Sequence, residues 1–204
     1  MTLYSSMPSY VIGFHGCDEE VGLSVLNNHD YLRHSDNRYD WLGKGVYFWE
    51  NSPERAKQHA EIAKKRNTSK IKKPFVIGAI IDLGDCLDLI DKKWLDFVSL
   101  AYTEMKKSLE EDGKELPSNK PFGKNDFDFK NRELDCAVIR YAHTLASADK
   151  RVFDSVRSAF LEGDELYPGA GFKKENHIQI AVINPNCIKG IFLPREKLNS
   201  KINQ

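Results

Sequence analysis

The sequence predicts an α+β fold, and three observations carry that reading. Apolar runs with strand character lie near both ends of the 204-residue chain. Two segments with helical spacing, within roughly 91–147, stand between them. Glycine, proline and polar clusters separate the elements. The whole chain, 1–204, reads as one domain carrying that mostly helical insertion.

Tyr10 to His15, YVIGFH, reads as a buried strand ending at Gly16, with a short helix over Val21 to Leu26. The stretch around His29 to Asp40 is polar and reads as loop. Gly45 to Phe48 is a second short strand. Ser52 as N-cap and Pro53 in the first turn start a helix, which keeps Ala56, Ala60 and Ala63 on one face and ends near Asn67. Residues 64–74 form a basic loop, and Phe75 to Asp82, FVIGAIID, is a central strand by composition.

Asp91 caps a helix whose apolar positions Trp94, Val98, Ala101, Met105 and Leu109 recur at helical spacing until Gly113. Residues 113–128 read as loop. Leu134, Ala137, Val138, Tyr141 and Leu145 mark another helix. Three strands close the chain: Val152 to Phe160, His177 to Ile183, and Ile188 to Leu193.

Thirty basic residues balance thirty acidic ones, so no global field marks a nucleic-acid binder. Hydrophobic residues make up 41% of the chain, enough for a core, yet no apolar run reaches the roughly 20 residues of a membrane span. The N-terminus lacks the basic and apolar regions of a signal peptide. Cys17, Cys86, Cys136 and Cys187 are scattered without a CxxC pair, which argues against a zinc site or a disulfide scaffold. Reduced thiols in a cytoplasmic protein are the simple expectation.

Three places carry candidate chemistry. His15-Gly16 lies at a strand end, either offering a ring and open backbone to a ligand or simply satisfied there. YDWLGKGVYFWEN, 39–51, gathers five aromatic residues around Gly43 and Gly45. It is either a slot for a flat ligand or a glycine-kinked edge strand with core rings. Gln179 shares a strand face with His177 in an otherwise apolar strand, which marks either a cleft or an exposed face.

Together these residues resemble the diphtheria-toxin-like branch of the ADP-ribosyltransferases, which includes the poly(ADP-ribose) polymerases. FHGC supplies His15 and Gly16, GKGVYFWE supplies Tyr47, and HIQIAVI supplies Gln179 where that family carries a glutamate. The run S-x-N-x-YDWLG-x-G-x-YFWE, with LDCAVI and HIQIAV-x-NPNCI, is similar to a bacterial group with toxin and anti-phage members. The likeness covers both ends of the chain and leaves the helical block without a counterpart.

The resemblance implies a split β-sheet core with inserted helices, NAD as co-substrate and no metal. The Gly16 backbone would grip the nicotinamide carboxamide, His15 a ribose hydroxyl, and Tyr47 would stack on the pyridinium. Gly45 would let the chain approach the ligand. Ser35 and Asn37 would reach the ribose or phosphates, and Arg55 either the diphosphate or solvent.

Gln179 keeps a hydrogen bond but not a charge, which favours transfer of single ADP-ribose units. Glu162, in the loop before the Gln179 strand, is the expected general base, with Glu50 a weaker candidate. The acceptor would be RNA, DNA, protein or water, and a cognate antitoxin is a further expected partner. Lys64, Lys65, Arg66, Lys70, Lys72 and Lys73 form either a rim for nucleic acid or a solvated surface. Tyr167 and Phe172 would stack an acceptor base or pack on a protein.

Overall fold

The computed structural model describes residues 10–121 and 130–195. Among them the order begins β1 (Tyr10–Asp18), α1 (Glu19–Leu26), β2 (Val46–Glu50), α2 (Pro53–Lys64), β3 (Pro74–Asp82) and β4 (Cys86–Asp88). It continues with α3 (Lys92–Glu111), β5 (Asn119–Lys120), β6 (Asn131–Arg132) and α4 (Glu133–Ala148). It ends with β7 (Ser155–Phe160), β8 (His177–Val182), a short 3-10 turn and β9 (Ile188–Phe192). Seven strands form one sheet in the order β4-β7-β8-β2-β1-β3-β9, and β5 and β6 pair as a separate ribbon. This is a mixed α+β architecture, a multi-stranded sheet with helices inserted between its strands.

The sheet is weakest at its middle. β1 and β3 match over nine residue pairs and β7 and β8 over six, whereas β1 and β2 match over only two, Gly13 with Glu50 and Phe14 with Trp49. Beyond those two pairs the strands part. α2 lies against β1 there, and Gly16 makes the approach possible: a Cβ on it would stand 2.1 Å from the Ala56 carbonyl oxygen and 3.1 Å from Ala60 Cβ. The alanine face of α2 is fully buried at Ala56 and Ala60 for the same reason.

Two apolar clusters hold the sheet. One joins Val156, Phe160 and Ala181 to Ala101 and Met105 of α3 and to Val138, Ile139 and Ala142 of α4. The other holds Val46, Phe48, Ala79, Ile81, Ile180 and Val182. Alternation along β2 therefore sends Tyr47 toward the first cluster and Phe48 into the second. All four cysteines are free and buried. Burial pushes the thiols up, Cys17 to about 11 and Cys86 to about 12, so neither is a ready nucleophile. No helix among the described residues is long and apolar enough to cross a membrane.

Several boundaries differ from the sequence expectation. β1 runs on to Asp18, because Gly16, Cys17 and Asp18 pair with Val76, Phe75 and Pro74. Asp18 then caps α1 through the Glu20 amide, so that helix starts at Glu19 rather than Val21. Ser52 stands at the N-cap of α2 but makes no side-chain capping bond, and the helix stops at Lys64, short of Asn67. β2 is shifted to Val46–Glu50, and β9 stops at Phe192. β7 begins at Ser155, since Lys150 takes a left-handed turn after α4 and leaves Val152 exposed. β4 and the β5–β6 ribbon were not anticipated. The expected loop at 113–128 contains β5, and its 122–129 portion lies outside the described residues.

Gly16→Ala should push α2 away from β1 and cost about 1–3 kcal/mol, the usual scale of overpacking. Urea denaturation measures it; an unchanged midpoint would mean that α2 can slide without loss.

Candidate functional site

Nine of the residues singled out from the sequence, His15, Gly16, Ser35, Asn37, Gly45, Tyr47, Arg55, Glu162 and Gln179, line one cavity of about 1010 Å³. They come from β1, the 35–45 segment, β2, α2, the β7–β8 loop and β8. Opposing strands explain the convergence: Trp49 pairs with Gln179, and Phe14 pairs with Trp49 on the other side. The cavity opens where β1 and β2 part.

His15 bridges that parting. Its Nδ1–H donates to the Tyr47 carbonyl at 2.7 Å, which leaves Nε2 as the ring's acceptor. Burial lowers the His15 pKa, against the opposing pull of the Tyr47 carbonyl, so the ring is neutral at pH 7. Tyr47 is fixed at its far end. Its hydroxyl accepts from the Leu42 amide at 2.9 Å and donates to the Gly43 carbonyl at 2.7 Å. Gly43 has φ of 74°, the left-handed region, which closes the turn that presents both groups. Burial raises the phenol pKa, so Tyr47 contributes a neutral ring.

The wall at 35–45 is a small polar network. Ser35 and Gly45 exchange backbone hydrogen bonds of 2.8 and 3.1 Å. The Asn37 amide side chain donates to Ser35 Oγ at 3.0 Å and to Asp40 Oδ1 at 3.2 Å. Arg140 of α4 ties this wall to the insertion, reaching Asp36 Oδ1 at 2.6 Å and the Asn37 carbonyl at 3.2 Å.

Arg55 is neither solvated nor an isolated cation. It meets Glu162 Oε2 at 2.7 Å and Glu175 Oε2 at 3.5 Å, and also donates to Gln58 Oε1. Its side chain is 15% exposed. The cavity's other lining cations are Arg33, Arg66 and Lys130. Of the basic run at 64–73, Arg66 lines the cavity, whereas Lys73 pairs with Glu19 at 2.7 Å.

Gln179 is 9% exposed, and its carboxamide makes no hydrogen bond to another described residue. His177 on the same face is also buried, so this is a cleft wall and not an exposed strand face. The His177 ring lies 6.2 Å from Trp41 and 5.6 Å from Phe160, between centroids, and donates from Nδ1 to the Glu175 carbonyl at 2.7 Å.

Glu50 is removed from the candidate carboxylates. Arg157 grips it with bonds of 2.6 and 2.9 Å and also meets Asp88 at 3.1 Å, a closed cluster outside the cavity lining. Tyr167 and Phe172 are exposed and do not line the cavity.

Sequence reasoning missed His59 and Glu175, both in the lining. His59 follows Arg55 by one helical turn, and its ring lies 4.7 Å from Trp49. Glu175 extends the alternation of His177 and Gln179 by one step, a signal present in the sequence. A second cavity of about 480 Å³, mostly apolar, lies between α3, α4 and β7 and shares Trp41 with the first. No group of three His, Cys, Asp or Glu residues among the described residues is arranged to hold a metal ion.

Burial pushes the His177 pKa down to about 4, with the Glu175 carbonyl opposing and Arg55 adding to the effect. His15 shifts the same way. The unfolded chain, with histidines near ~6.5, therefore binds protons first as pH falls. Stability is complete above that value and should be lost progressively between ~6.5 and ~4. Urea midpoints at stepped pH should show this decline, and His177→Phe should make it shallower, with His15 and His59, also lowered by burial, supplying the remainder; a pH-independent midpoint across that window would contradict it.

No family model, no curated protein and no solved structure matches the chain.

Proposed function

We propose that the chain is a mono-ADP-ribosyltransferase that takes ADP-ribose from NAD and passes it to a macromolecular acceptor, nucleic acid or protein. One observation carries the reading. His15, Gly16, Tyr47 and Gln179, the residues behind the resemblance, come from three separate strands and line a single cavity. Its volume, about 1010 Å³, is at the upper end for small-molecule sites and suits a dinucleotide.

The reaction breaks the bond between nicotinamide and ribose through an oxocarbenium-like transition state. The Tyr47 ring, held at both ends, is a rigid platform for the pyridinium, a contact worth about 1–2 kcal/mol when dry. Gly16 offers an open backbone for the carboxamide. His15 Nε2 accepts from a ribose hydroxyl. Ser35 and Asn37 line the wall toward the sugar and phosphates. Arg66, which makes no ion pair with a described residue, supplies the diphosphate cation in place of Arg55, which is already paired with Glu162. Gln179 holds a ribose hydroxyl through its unengaged carboxamide.

Water as acceptor would make the same site an NAD glycohydrolase. The neutral Gln179 favours a third reading, a module that binds NAD without consuming it. Labelled NAD separates the three: label on RNA, DNA or protein indicates transfer, free ADP-ribose alone indicates hydrolysis, and thermal stabilisation without turnover indicates binding only.

Tyr47→Ala should abolish NAD consumption. Tyr47→Phe keeps the platform and loses two hydrogen bonds, so it should retain turnover while losing about 1–3 kcal/mol of stability. If Tyr47→Ala consumes NAD like the parent, the platform role fails.

A further inference from the structure

Gln179 itself brings neither the charge of a glutamate nor a base for the acceptor's proton. Resting on the transferase reading above, we infer that Glu175 takes that proton, with Arg55 and Gln58 holding it in place. Glu175 lies in the lining of the same cavity as Gln179, four residues ahead of it on the approach to β8.

Two carboxylates share Arg55, and they are held differently. Glu162 accepts a 2.7 Å charge-assisted bond, and its side chain is 15% exposed. Glu175 is 3.5 Å from the same guanidinium and 27% exposed, so it is the looser and more open of the two. Its Oε1 accepts from Gln58 Nε2 at 2.8 Å, a neutral donor that orients the carboxylate without cancelling its charge. Glu162, the base expected from the sequence, is thus the partner that fixes Arg55. Arg55 is thus shared by two carboxylates, and Glu175, the one it holds less closely, faces the cavity in which the ribosyl cation develops.

The step balances. The C1′–N bond of NAD breaks, and its electron pair leaves with neutral nicotinamide. The acceptor's lone pair forms the new bond to C1′. The acceptor's O–H or N–H proton passes to the Glu175 carboxylate and from there to solvent. No other co-reactant is needed.

The test reads nicotinamide release from NAD in clarified bacterial lysate, a readout common to every acceptor including water. Glu175→Gln should lower kcat by about 10²–10⁴-fold, the range for general-base loss, and leave KM for NAD unchanged. Glu175→Asp should recover part of kcat. Glu162→Gln should instead lower stability, because it releases Arg55. Should Glu175→Gln fail to fold, Gln58→Met carries the test: it keeps the carboxylate, loses its orientation, and should lower kcat. Wild-type kcat in either folded variant, or a pure KM effect of Glu175→Gln, overturns the inference and leaves the transferase reading standing. A wild-type chain that never consumes NAD overturns both.

Discussion

A single hydrogen bond, from His15 Nδ1 to the Tyr47 carbonyl, makes the rest of the site possible. β1 and β2 are registered over only two pairs, so the carbonyl beyond them has no ladder partner on the β1 side. A buried carbonyl left unpaired would cost about 1–3 kcal/mol. Sealing the ladder would remove that cost and close the cavity. A side-chain donor removes the cost and keeps the cavity open. The same bond fixes which ring nitrogen of His15 remains an acceptor, so one contact sets both the gap and its chemistry.

Two arginines show how the sheet separates structure from chemistry. Arg157 holds Glu50 through two parallel bonds and Asp88 through a third, with side-chain exposures of 13%, 11% and 6%. Each guanidinium nitrogen is engaged, and the cluster ties β2, β4 and β7 together. Arg55 also meets two carboxylates, but at unequal distances, and its Nε is buried without a partner. Closed clusters rigidify, while unevenly satisfied ones are costly and persist where a site needs charge. The inequality, more than the presence of charge, distinguishes the wall of the cavity from the brace of the sheet.

Much of this was legible in the sequence. Apolar runs gave β1, β3 and β8 because their inward faces are long and uninterrupted. The Trp94 to Leu109 spacing gave α3, and Leu134 to Leu145 gave α4. β4 was not legible, because three residues carry no period and its place depends on pairing with β7. Part of the cavity lining was legible because Gly45 and Gln179 contradict their local patterns. The ion pairs of Arg55 and Glu50 were not legible, because each has a partner more than a hundred positions away. Only the folded chain shows whether a charge is already answered.

The helical insertion, which the resemblance left without a counterpart, has a physical task in this chain. The 35–45 wall has little core of its own: Asp36, Asn37 and Tyr39 are exposed. Backbone pairing between Ser35 and Gly45 fixes its base but not its tip. α4 supplies much of the rest, through Arg140 on Asp36 and Asn37 and Ile139 packed 3.2 Å from the position of a Gly43 Cβ, and the segment ahead of it adds the Lys130 carbonyl, which accepts from the Trp41 indole N–H at 3.0 Å. Arg132, at the head of α4, stacks on Trp41 at 4.1 Å. The turn that carries Leu42 and Gly43 also holds the Tyr47 hydroxyl. Movement of α4 would thus reach the ring of Tyr47 through one turn and two hydrogen bonds, which makes the insertion a part of the cavity's geometry and not an ornament on its edge.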